Sequence, residues 1–448
     1  MNIALNRKRA HASLIALLLC LPLMATCSLA PAQLDPTQIQ PSPSQATPVL
    51  TEPATQADTP TATPPSSTVT PATPVPPHDP NTPFEALRMP YLEFGVVTHL
   101  YYTDRARVIS LAKIAGFEWV RQQIHWKDIE SSPGVYYWNE LDNIVEAAKT
   151  GQTRLLLNMV QAPDFYNPTN GMPSDPRTLG NFVEAMVRRY GAKIGAIEIW
   201  NEPNLAVENG GRVTDADPAH YAELLIECYK RIKAVQPNIV VLAAAPSSTG
   251  VRNENIAIPD QDYLRALYAY QNGIIKYYFD AQALHPGAAA NPPNTLYPEQ
   301  PSFIANCKPA PDRCWNDHPT HYFRHIEAIR ALMLEMGLAD RQIWITEYGW
   351  ATANDTPNFE FGNLTSFDQQ AEYISQAIQY VAANYHDEQG HSWVGAMFLW
   401  NMNFAVLWGM QGDPLNEQAS FSLLNPDWSP RPAFITLQGL HQQLKQQR

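Results

Sequence analysis

Short apolar runs alternate with longer amphipathic segments from Tyr91 to the C-terminus. In the longer segments apolar residues recur every three or four positions, which predicts helices, whereas the short runs predict strands. The alternation occurs eight times, without a detectable internal sequence repeat. Continuous apolar runs are typical of parallel strands that helices cover on both faces. The pattern therefore favours an α/β fold.

The predicted strands span residues 94–98, 119–124, 154–159, 196–200, 239–244, 279–284, 342–346 and 395–400. The helical segments span residues 105–115, 140–149, 179–190, 221–235, 263–270, 322–336, 368–383 and 432–447. Eight strand–helix units predict a closed (β/α)8 TIM barrel over residues 84–448, because this fold commonly uses about 250 residues or more as one domain. The alternative is a doubly wound open sheet. Its first strand would lead into a Gly-rich turn, and T-H-L-Y-Y (98–102) has no glycine.

Two glutamates follow strand-like runs in the same way. The segment I-E-I-W-N-E-P-N (197–204) alternates apolar residues with Glu198, as in a short half-buried strand. Pro203 ends this strand because it has no N–H to donate. Glu202 is therefore predicted at a strand-to-loop corner, as is Glu347 in the later segment I-W-I-T-E-Y-G-W.

The carboxyl ends of all strands in a (β/α)8 barrel meet at one mouth, where binding and catalytic residues gather. A lone Glu in such a place is more often a loop residue or helix cap, and a lone Trp is more often core. Strands four and seven lie opposite each other, so their two carboxylates are predicted to face each other across the mouth. The candidate residues at predicted strand ends are Arg121, Asn201, Glu202, His285, Glu347 and Trp400.

Charge and composition narrow the class of partner. The chain has 43 acidic and 30 basic side chains, and no cluster of phosphate-contacting Lys and Arg is evident, which argues against nucleic acid and favours an uncharged substrate. Of the 40 prolines, 15 lie within residues 31–83, a segment rich in Thr, Ser, Ala and Gln. This composition cannot bury enough apolar surface to order itself, so we interpret residues 31–83 as a disordered linker.

The N-terminus (1–30) resembles a secretory signal peptide. Three basic residues (7–9) precede an apolar run of about twelve residues, which is shorter than the ~18–20 needed to span a bilayer and disfavours an uncleaved anchor. Cleavage after Ala30 or Ala32 would release the protein, whereas the box M-A-T-C resembles a lipoprotein signal that would leave Cys27 acylated. We expect an extracellular protein or one on the outer cell surface, with membrane attachment if Cys27 carries a lipid.

Cys307 and Cys314 lie close together in a Pro-rich loop. Outside the cytoplasm this spacing predicts a disulfide more than a metal clip. A small metal site that includes His318 and His321 is the alternative, and Cys228 is interpreted as a packed thiol in a helix. We predict no metal and no other cofactor, and we expect a monomer.

Two motifs resemble those of glycoside hydrolase clan A, the (β/α)8 retaining glycosidases, with a texture closest to families 39 and 5. W-N-E-P-N (200–204) resembles the strand-four motif of the clan. The resemblance implies that Glu202 is the acid/base and that Asn201 binds the 2-hydroxyl of the sugar. T-E-Y-G (346–349) resembles the strand-seven motif, which implies that Glu347 is the nucleophile.

A third segment, from Trp126 to Trp138, resembles the W-x-x-I-E…P-G-x-Y-x-W loop that is common after strand two of the clan. One departure is present after strand six. Clan members frequently place a tyrosine two residues after the strand-six histidine, to hydrogen-bond the nucleophile, and this chain has H-P-G there. Tyr348, Tyr322 or a residue of the following loop are the alternatives for that contact.

The chemistry follows from two carboxyl groups in different protonation states. Glycoside cleavage passes through an oxocarbenium-like transition state, so one carboxylate attacks the anomeric carbon while a protonated carboxyl frees the leaving oxygen. We predict that Arg121 lowers the pKa of Glu347 and that Glu202 keeps its proton beside that negative charge. Trp350 and Trp408 either extend the sugar platform or pack in the core. The predicted substrate-binding residues are Arg121, Asn201, His285, Trp400, Trp126, His99 and Tyr348.

The residues favour a secreted retaining glycosidase that acts on a polysaccharide or oligosaccharide, expected to be β-linked. A carbohydrate-binding barrel without activity would lack one of the glutamates. A transglycosylase shares the first chemical step and differs only in the acceptor. A metal-dependent barrel hydrolase normally begins with paired histidines on its first strand, where this chain has only His99.

Overall fold

The computed structural model describes residues 85–297 and 318–448. The predicted signal peptide (1–30), the linker (31–83) with Cys27, and the pair Cys307 and Cys314 lie outside the described residues, so those interpretations stay predictions.

Eight parallel strands close into a barrel, which confirms the predicted (β/α)8 architecture. Each barrel strand pairs with its neighbours in sequence order, and the first pairs with the last, with Val96 opposite Leu399. A separate two-stranded antiparallel hairpin, formed by β3 and β4, follows the second barrel strand. In chain order the strands are β1 (Glu93–Val97), β2 (Trp119–His125), β3 (Glu130–Ser132), β4 (Val135–Tyr136), β5 (Arg154–Val160), β6 (Ala196–Ile199), β7 (Val240–Ala243), β8 (Ala281–Leu284), β9 (Gln342–Tyr348) and β10 (Val394–Leu399).

Helices connect the barrel strands and cover their outer faces. Capping residues mark the ends of these helices. At the start of one helix, for example, Ser366 and Gln369 form a reciprocal capping box. None of the helices in the described residues is long and apolar enough to cross a membrane. The α-helices are α1 (Arg105–Ile114), α2 (Asn139–Thr150), α3 (Pro176–Tyr190), α4 (Asp217–Val235), α5 (Asp260–Ala269), α6 (Ile326–Glu335), α7 (Phe367–Asn384), α8 (Phe404–Met410), α9 (Glu417–Ser420) and α10 (Pro432–Lys445).

The barrel interior is packed with side chains and is not a pore. Trp119 and Trp344 meet edge to face at a ring-centroid distance of 5.3 Å, and Phe398 stacks on Trp344 at 6.1 Å. Gly95 makes room for this layer, because a Cβ atom there would lie 2.3 Å from the Phe398 ring. Small residues of neighbouring strands fill the remaining space, and the polar side chains of the mouth begin above this layer.

The amino end of the barrel is closed by the segment that precedes β1. The backbone N–H of Met89 donates to the side chain of Gln342 at 2.8 Å, and the Gln342 amide donates back to the Met89 carbonyl at 2.9 Å. The N–H of Leu87 donates to Asp280 at 3.1 Å. These contacts cover the end of the barrel opposite to the candidate site, which leaves the mouth as the side open to substrate.

Candidate active site

Arg121 joins three strands at the mouth of the barrel. Its side chain is fully buried, and its guanidinium donates from Nε to Glu198 Oε2 at 2.9 Å and from Nη1 to Glu347 Oε1 at 2.6 Å. The third donor, Nη2, bonds to Asn201 Oδ1 at 3.2 Å. A planar guanidinium with fixed donors holds these groups in one geometry, since arginine stays charged at every ordinary pH.

His285 follows β8 and lies between the two predicted catalytic carboxyl groups. Its Nδ1 is 3.1 Å from Glu202 Oε1, and its Nε2 is 3.7 Å from Glu347 Oε1 and 3.1 Å from Thr346 Oγ1. Burial acts to lower the pKa of His285, but the charges of Glu347 and Glu202 outweigh it, so the pKa is raised above its usual value. One imidazole therefore connects the loop after β6 with β9.

The backbone around Glu202 has an unusual conformation. Both Trp200 and Glu202 have positive φ angles, 73° and 37°, in the left-handed region that side chains other than glycine rarely adopt. The carboxyl group of Glu202 is buried; its Oε1 faces His285, while within the described residues Oε2 has no hydrogen-bond partner. A strained backbone that presents an unsatisfied carboxyl oxygen is typical of a functional site.

Glu198 belongs to this cluster, although the sequence pattern suggested a polar face of a half-buried strand. β6 is buried on both faces, and Glu198 is fully buried where it accepts from Arg121. Thr346 donates a second hydrogen bond to it at 3.1 Å. The prediction of a half-buried strand is therefore wrong at Glu198, because a barrel strand has no solvent face.

The electrostatic prediction for Glu347 is corrected by its burial. Arg121 contacts the carboxyl group as expected, and the side chain is only 19% exposed. Burial raises the pKa of Glu347; His285 and Arg121 oppose this effect, while Glu202 and Glu198 reinforce it, and the resulting shift is upward. Arg121 acts in the predicted direction, but burial outweighs its effect, so the pKa of Glu347 lies above its usual range.

Glu208 adds another carboxyl group that the sequence did not single out. It lies in the loop after β6, where its Oε1 accepts from Asn201 Nδ2 at 3.3 Å. Asn201 therefore has both ends of its amide fixed, one by Arg121 and one by Glu208. Burial, followed by the charge of Glu202, raises the pKa of Glu208 to about 8. No sequence pattern identifies Glu208, because it lies outside the strand-four motif and belongs to no other motif.

A cavity opens at this cluster and encloses about 880 Å³ of atom-free space, part of which is open solvent at the mouth. Of the residues predicted from the sequence, Glu202, His285, Glu347, Tyr348 and Trp400 line it. The remaining wall is mostly aromatic or small, and it also includes Glu417 and Gln418 from the segment between β10 and the last helix. A concave, largely apolar site with a few convergent polar groups is what a small-molecule or sugar ligand requires.

The family model described as Cellulase (glycosyl hydrolase family 5) matches residues 84–403, which is more than half of the chain. The chain belongs to glycoside hydrolase family 5. It is therefore a clan A glycosidase, as its strand-four and strand-seven motifs predicted. No curated protein sequence matches it.

Solved glycosidases share the barrel fold with this family 5 chain. A family 39 glycoside hydrolase from Bacteroides cellulosilyticus is 20% identical, with a TM-score of 0.53 over 79% of this chain and 64% of that chain. A glucosidase from Croceicoccus marinus is 13% identical, with a TM-score of 0.51 over 80% and 69%. A family 5 subfamily 18 enzyme from Streptomyces cattleya, solved with GlcNAc, is 12% identical, with a TM-score of 0.52 over 80% and 82%. At these identities the likeness shows the fold alone.

Trp126 packs in the core of this family 5 barrel, which corrects its prediction as a substrate-binding residue. It is fully buried, stacks on Tyr166 and Phe182 at 5.1 and 5.4 Å, and donates from Nε1 to Glu130 at 2.6 Å. Glu130 also accepts from the N–H of Gly134, so the loop that resembles the clan motif fixes the β3–β4 hairpin. The motif has a structural role here, and its tryptophan is not a sugar platform.

The other aromatic candidates divide between wall and core. Trp350 is fully buried and donates from its indole to a backbone carbonyl, so it packs in the core. Trp408 is partly buried and donates to Gln418 at 3.1 Å. His99 lies next to the cavity wall, because its ring is 6.0 Å from Phe404, which contacts Trp400 at 4.9 Å. Burial lowers the pKa of His99 to about 4, so its imidazole is neutral at ordinary pH.

The nucleophile candidate Glu347 has no tyrosine partner among the described residues. Within the described residues its hydrogen bond is to Arg121 Nη1 at 2.6 Å. Tyr348 still lines the cavity, whereas the third alternative, the loop after β8, lies partly outside the described residues.

Within the part of the chain that the structure describes, no group of three or more potential metal ligands occurs, and His318 and His321 stand 6.0 Å apart by ring centroid.

Proposed function

We propose that this family 5 glycosidase retains configuration by double displacement, with Glu347 as nucleophile and Glu202 as acid/base. One observation carries the proposal: a single imidazole, that of His285, contacts both carboxyl groups, yet their other partners differ. Glu347 is held by a guanidinium, whereas Glu202 has an oxygen without a hydrogen-bond partner in the part of the chain that the structure describes. This asymmetry supports two roles for two residues of the same type.

Each step uses these two groups in sequence. In the first step Glu347 attacks the anomeric carbon and forms a glycosyl ester, while Glu202 transfers its proton to the departing glycosidic oxygen. In the second step Glu202, now a carboxylate, takes a proton from water, and the water oxygen displaces Glu347 from the anomeric carbon. Arg121 keeps the Glu347 oxygen in place, and Asn201, with its amide fixed at both ends, is the proposed ligand of the sugar 2-hydroxyl.

The proposed substrate is a β-linked, uncharged polysaccharide or oligosaccharide. The chain has a net charge of −13, which disfavours binding of acidic polymers, and the cavity wall offers aromatic surface to a sugar ring. Trp400 is the proposed platform. A panel of β-glucans, xylans, mannans and galactans, with GlcNAc-containing oligosaccharides because of the Streptomyces cattleya relative, would identify the sugar; a ladder of products indicates internal cleavage and monomers alone indicate chain-end attack.

Azide rescue tests the two roles. Glu347→Gly should lose hydrolysis by several orders of magnitude, and added azide should then yield a glycosyl azide of inverted configuration. Glu202→Ala should still be glycosylated by an activated aryl glycoside, which needs little protonation, and azide should give a product of retained configuration. The opposite stereochemical pattern would exchange the roles. Full activity in either variant would mean that the carboxyl groups are structural, and sugar transfer to an added acceptor instead of water would assign a transglycosylase.

We further propose that the barrel is exported and that residues 31–83 separate it from the cell surface. The support is the signal-like N-terminus and the Pro-rich composition, which favours extended chain. Cys27→Ser should release the protein from the membrane fraction without a change in activity if Cys27 is acylated. Unchanged partitioning would remove the lipid anchor, and a retained N-terminus in the exported protein would remove the signal peptide.

A further inference from the structure

Glu417 is a carboxyl group on the wall of the active-site cavity that the proposed mechanism does not use. It begins the short helix α9, the residue is 4% exposed, and it lines the same cavity as Glu202 and Glu347. A buried glutamate is rare unless it is paired, so its partners need an explanation.

Within the described residues, only one of its two carboxyl oxygens has a hydrogen-bond partner. Oε2 accepts from Thr356 Oγ1 at 3.1 Å, and the backbone N–H of Glu417 donates to the same hydroxyl oxygen at 2.9 Å. Oε1 is buried and has no hydrogen-bond partner within the described residues. Leaving a buried acceptor unpaired costs free energy, so such a group on a cavity wall calls for a partner such as a bound ligand or an ordered water.

Glu130 shows what a structural buried glutamate looks like in the same chain. It is 1% exposed, and both its oxygens are bonded, one to the indole of Trp126 and the other to Gly134 N–H and the Tyr166 hydroxyl. Glu417 does not have this saturation within the described residues, and burial raises its pKa. Oε1 of Glu417 therefore lacks a hydrogen-bond donor within the described residues, unlike either oxygen of Glu130.

The neighbours of Glu417 place it beside the proposed sugar platform. The carbonyl of Gln418 accepts from Asn401 Nδ2 at 2.8 Å, directly after Trp400 in the chain, and the Gln418 side chain accepts from Trp408. Phe359, Phe361 and Phe421 line the same cavity. Aromatic surface beside a polar acceptor suits a sugar, whose ring carbons pack on aromatic groups while its hydroxyls donate hydrogen bonds.

We propose that Glu417 is a further substrate-binding residue, whose Oε1 accepts a hydrogen bond from a hydroxyl of the glycone, the part of the substrate that becomes attached to Glu347. The proposal rests on the glycosidase function proposed above, and it assigns a recognition role to a residue outside the strand-four and strand-seven motifs. Thr356 holds the carboxyl group in place from the other side, so it is a positioning residue.

The test compares Glu417→Gln with wild type in the full chain, on p-nitrophenyl β-glucoside, β-xyloside, β-galactoside, β-cellobioside and β-xylobioside and on their monodeoxy analogues. For the best of these substrates we expect kcat/KM to fall about 10- to 100-fold, the range for one hydrogen bond to a charged group. For one deoxy analogue, wild type and variant should be equal, because the hydroxyl that Glu417 binds is absent. The melting temperature of the variant should be unchanged or higher, since an unpaired buried charge is removed.

Glu130→Gln is the matched control, because it alters an equally buried carboxyl group away from the cavity. It should lower the melting temperature and leave KM unchanged. If Glu417→Gln behaves in the same way, or if its loss is equal on every deoxy analogue, Glu417 is structural and the proposal is overturned.

Calorimetric binding of cellobiose and xylobiose separates this proposal from the catalytic one, because it needs no turnover. Binding that depends on Glu417 without any cleavage overturns only the catalytic proposal. Cleavage and binding that are both independent of Glu417 overturn only the recognition proposal, and so does a wild-type protein that binds neither sugar.

Discussion

The barrel has a buried ion cluster at each end, and the two clusters differ in how completely they are satisfied. At the amino end, Lys233 donates to Asp280 at 2.6 Å and to the carbonyls of Pro237 and Ile239. Asp280 also accepts backbone N–H groups, including that of Val241 at 2.7 Å. One cation meets one anion there, and every charged group has several hydrogen bonds.

The mouth has more carboxyl groups than cations. Arg121 is shared between Glu198 and Glu347, and His285 lies between Glu347 and Glu202. Among residues 85–297 and 318–448, Oε2 of Glu202 has no hydrogen-bond partner. The amino-end cluster resembles a structural ion pair, whereas the carboxyl groups at the mouth share their hydrogen-bond donors. Such preorganised, incomplete clusters suit chemistry, because substrate or transition state completes them.

Removing the nucleophile candidate should separate activity from stability most strongly. Glu347→Gln keeps an acceptor for Arg121 but cannot form the glycosyl ester, so turnover should fall by several orders of magnitude. Because burial disfavours the charge of Glu347, the free energy of unfolding should stay unchanged or rise. Assays on an aryl glycoside together with urea unfolding would check both parts. A loss of stability as large as that of an amino-end variant would contradict the contrast between the clusters.

The amino-end pair should behave in the opposite way. Lys233→Met leaves Asp280 buried without its cation, and breaking such a pair costs about 3–5 kcal/mol. The turnover of the folded fraction should not change, because the pair lies at the end of the barrel opposite to the mouth. The double variant with Asp280→Asn should recover part of the loss in urea unfolding. If Lys233→Met instead altered turnover without altering stability, the distinction between the two ends would fail.

The pH dependence of Glu198→Gln should show whether the charge of Glu198 acts on Glu347 at the mouth. The charge of Glu198 contributes to the raised pKa of Glu347 and competes for Arg121, so its removal should lower the pKa of Glu347. Cleavage requires the ionised nucleophile; the acidic limb of kcat/KM should therefore move to lower pH. A limb that stays in place or moves upward would show that Glu198 does not act on Glu347 by charge.

The sequence predicted those parts of the molecule that depend on local periodicity. All eight barrel strands lie within two residues of their predicted bounds, because hydrophobic period and breakers such as Pro203 are local signals. Several contacts at the mouth became visible only in the structure. Glu198 and Arg121, which form an ion pair, are 77 positions apart. Trp126 was predicted to bind sugar, and only its complete burial shows that it packs in the core. The contact of Arg121 with Glu347 was predicted through the strand-end motifs, whereas the way in which the other buried groups satisfy one another has no signature in a single sequence.

Glu208 should give the finest test, because its effect is confined to one pH window. Burial and the charge of Glu202 raise its pKa from the ordinary 4.5 to about 8. Between these values the unfolded chain releases the proton while the folded protein keeps it, so the free energy of unfolding should fall as pH rises through this window. Glu208→Gln does not titrate and should lose that part of the slope. Urea unfolding at pH 5 and pH 8 measures it: a smaller difference in the variant than in wild type is expected, and equal differences would mean that Glu208 is ionised in the folded protein and that its bond to Asn201 involves a carboxylate.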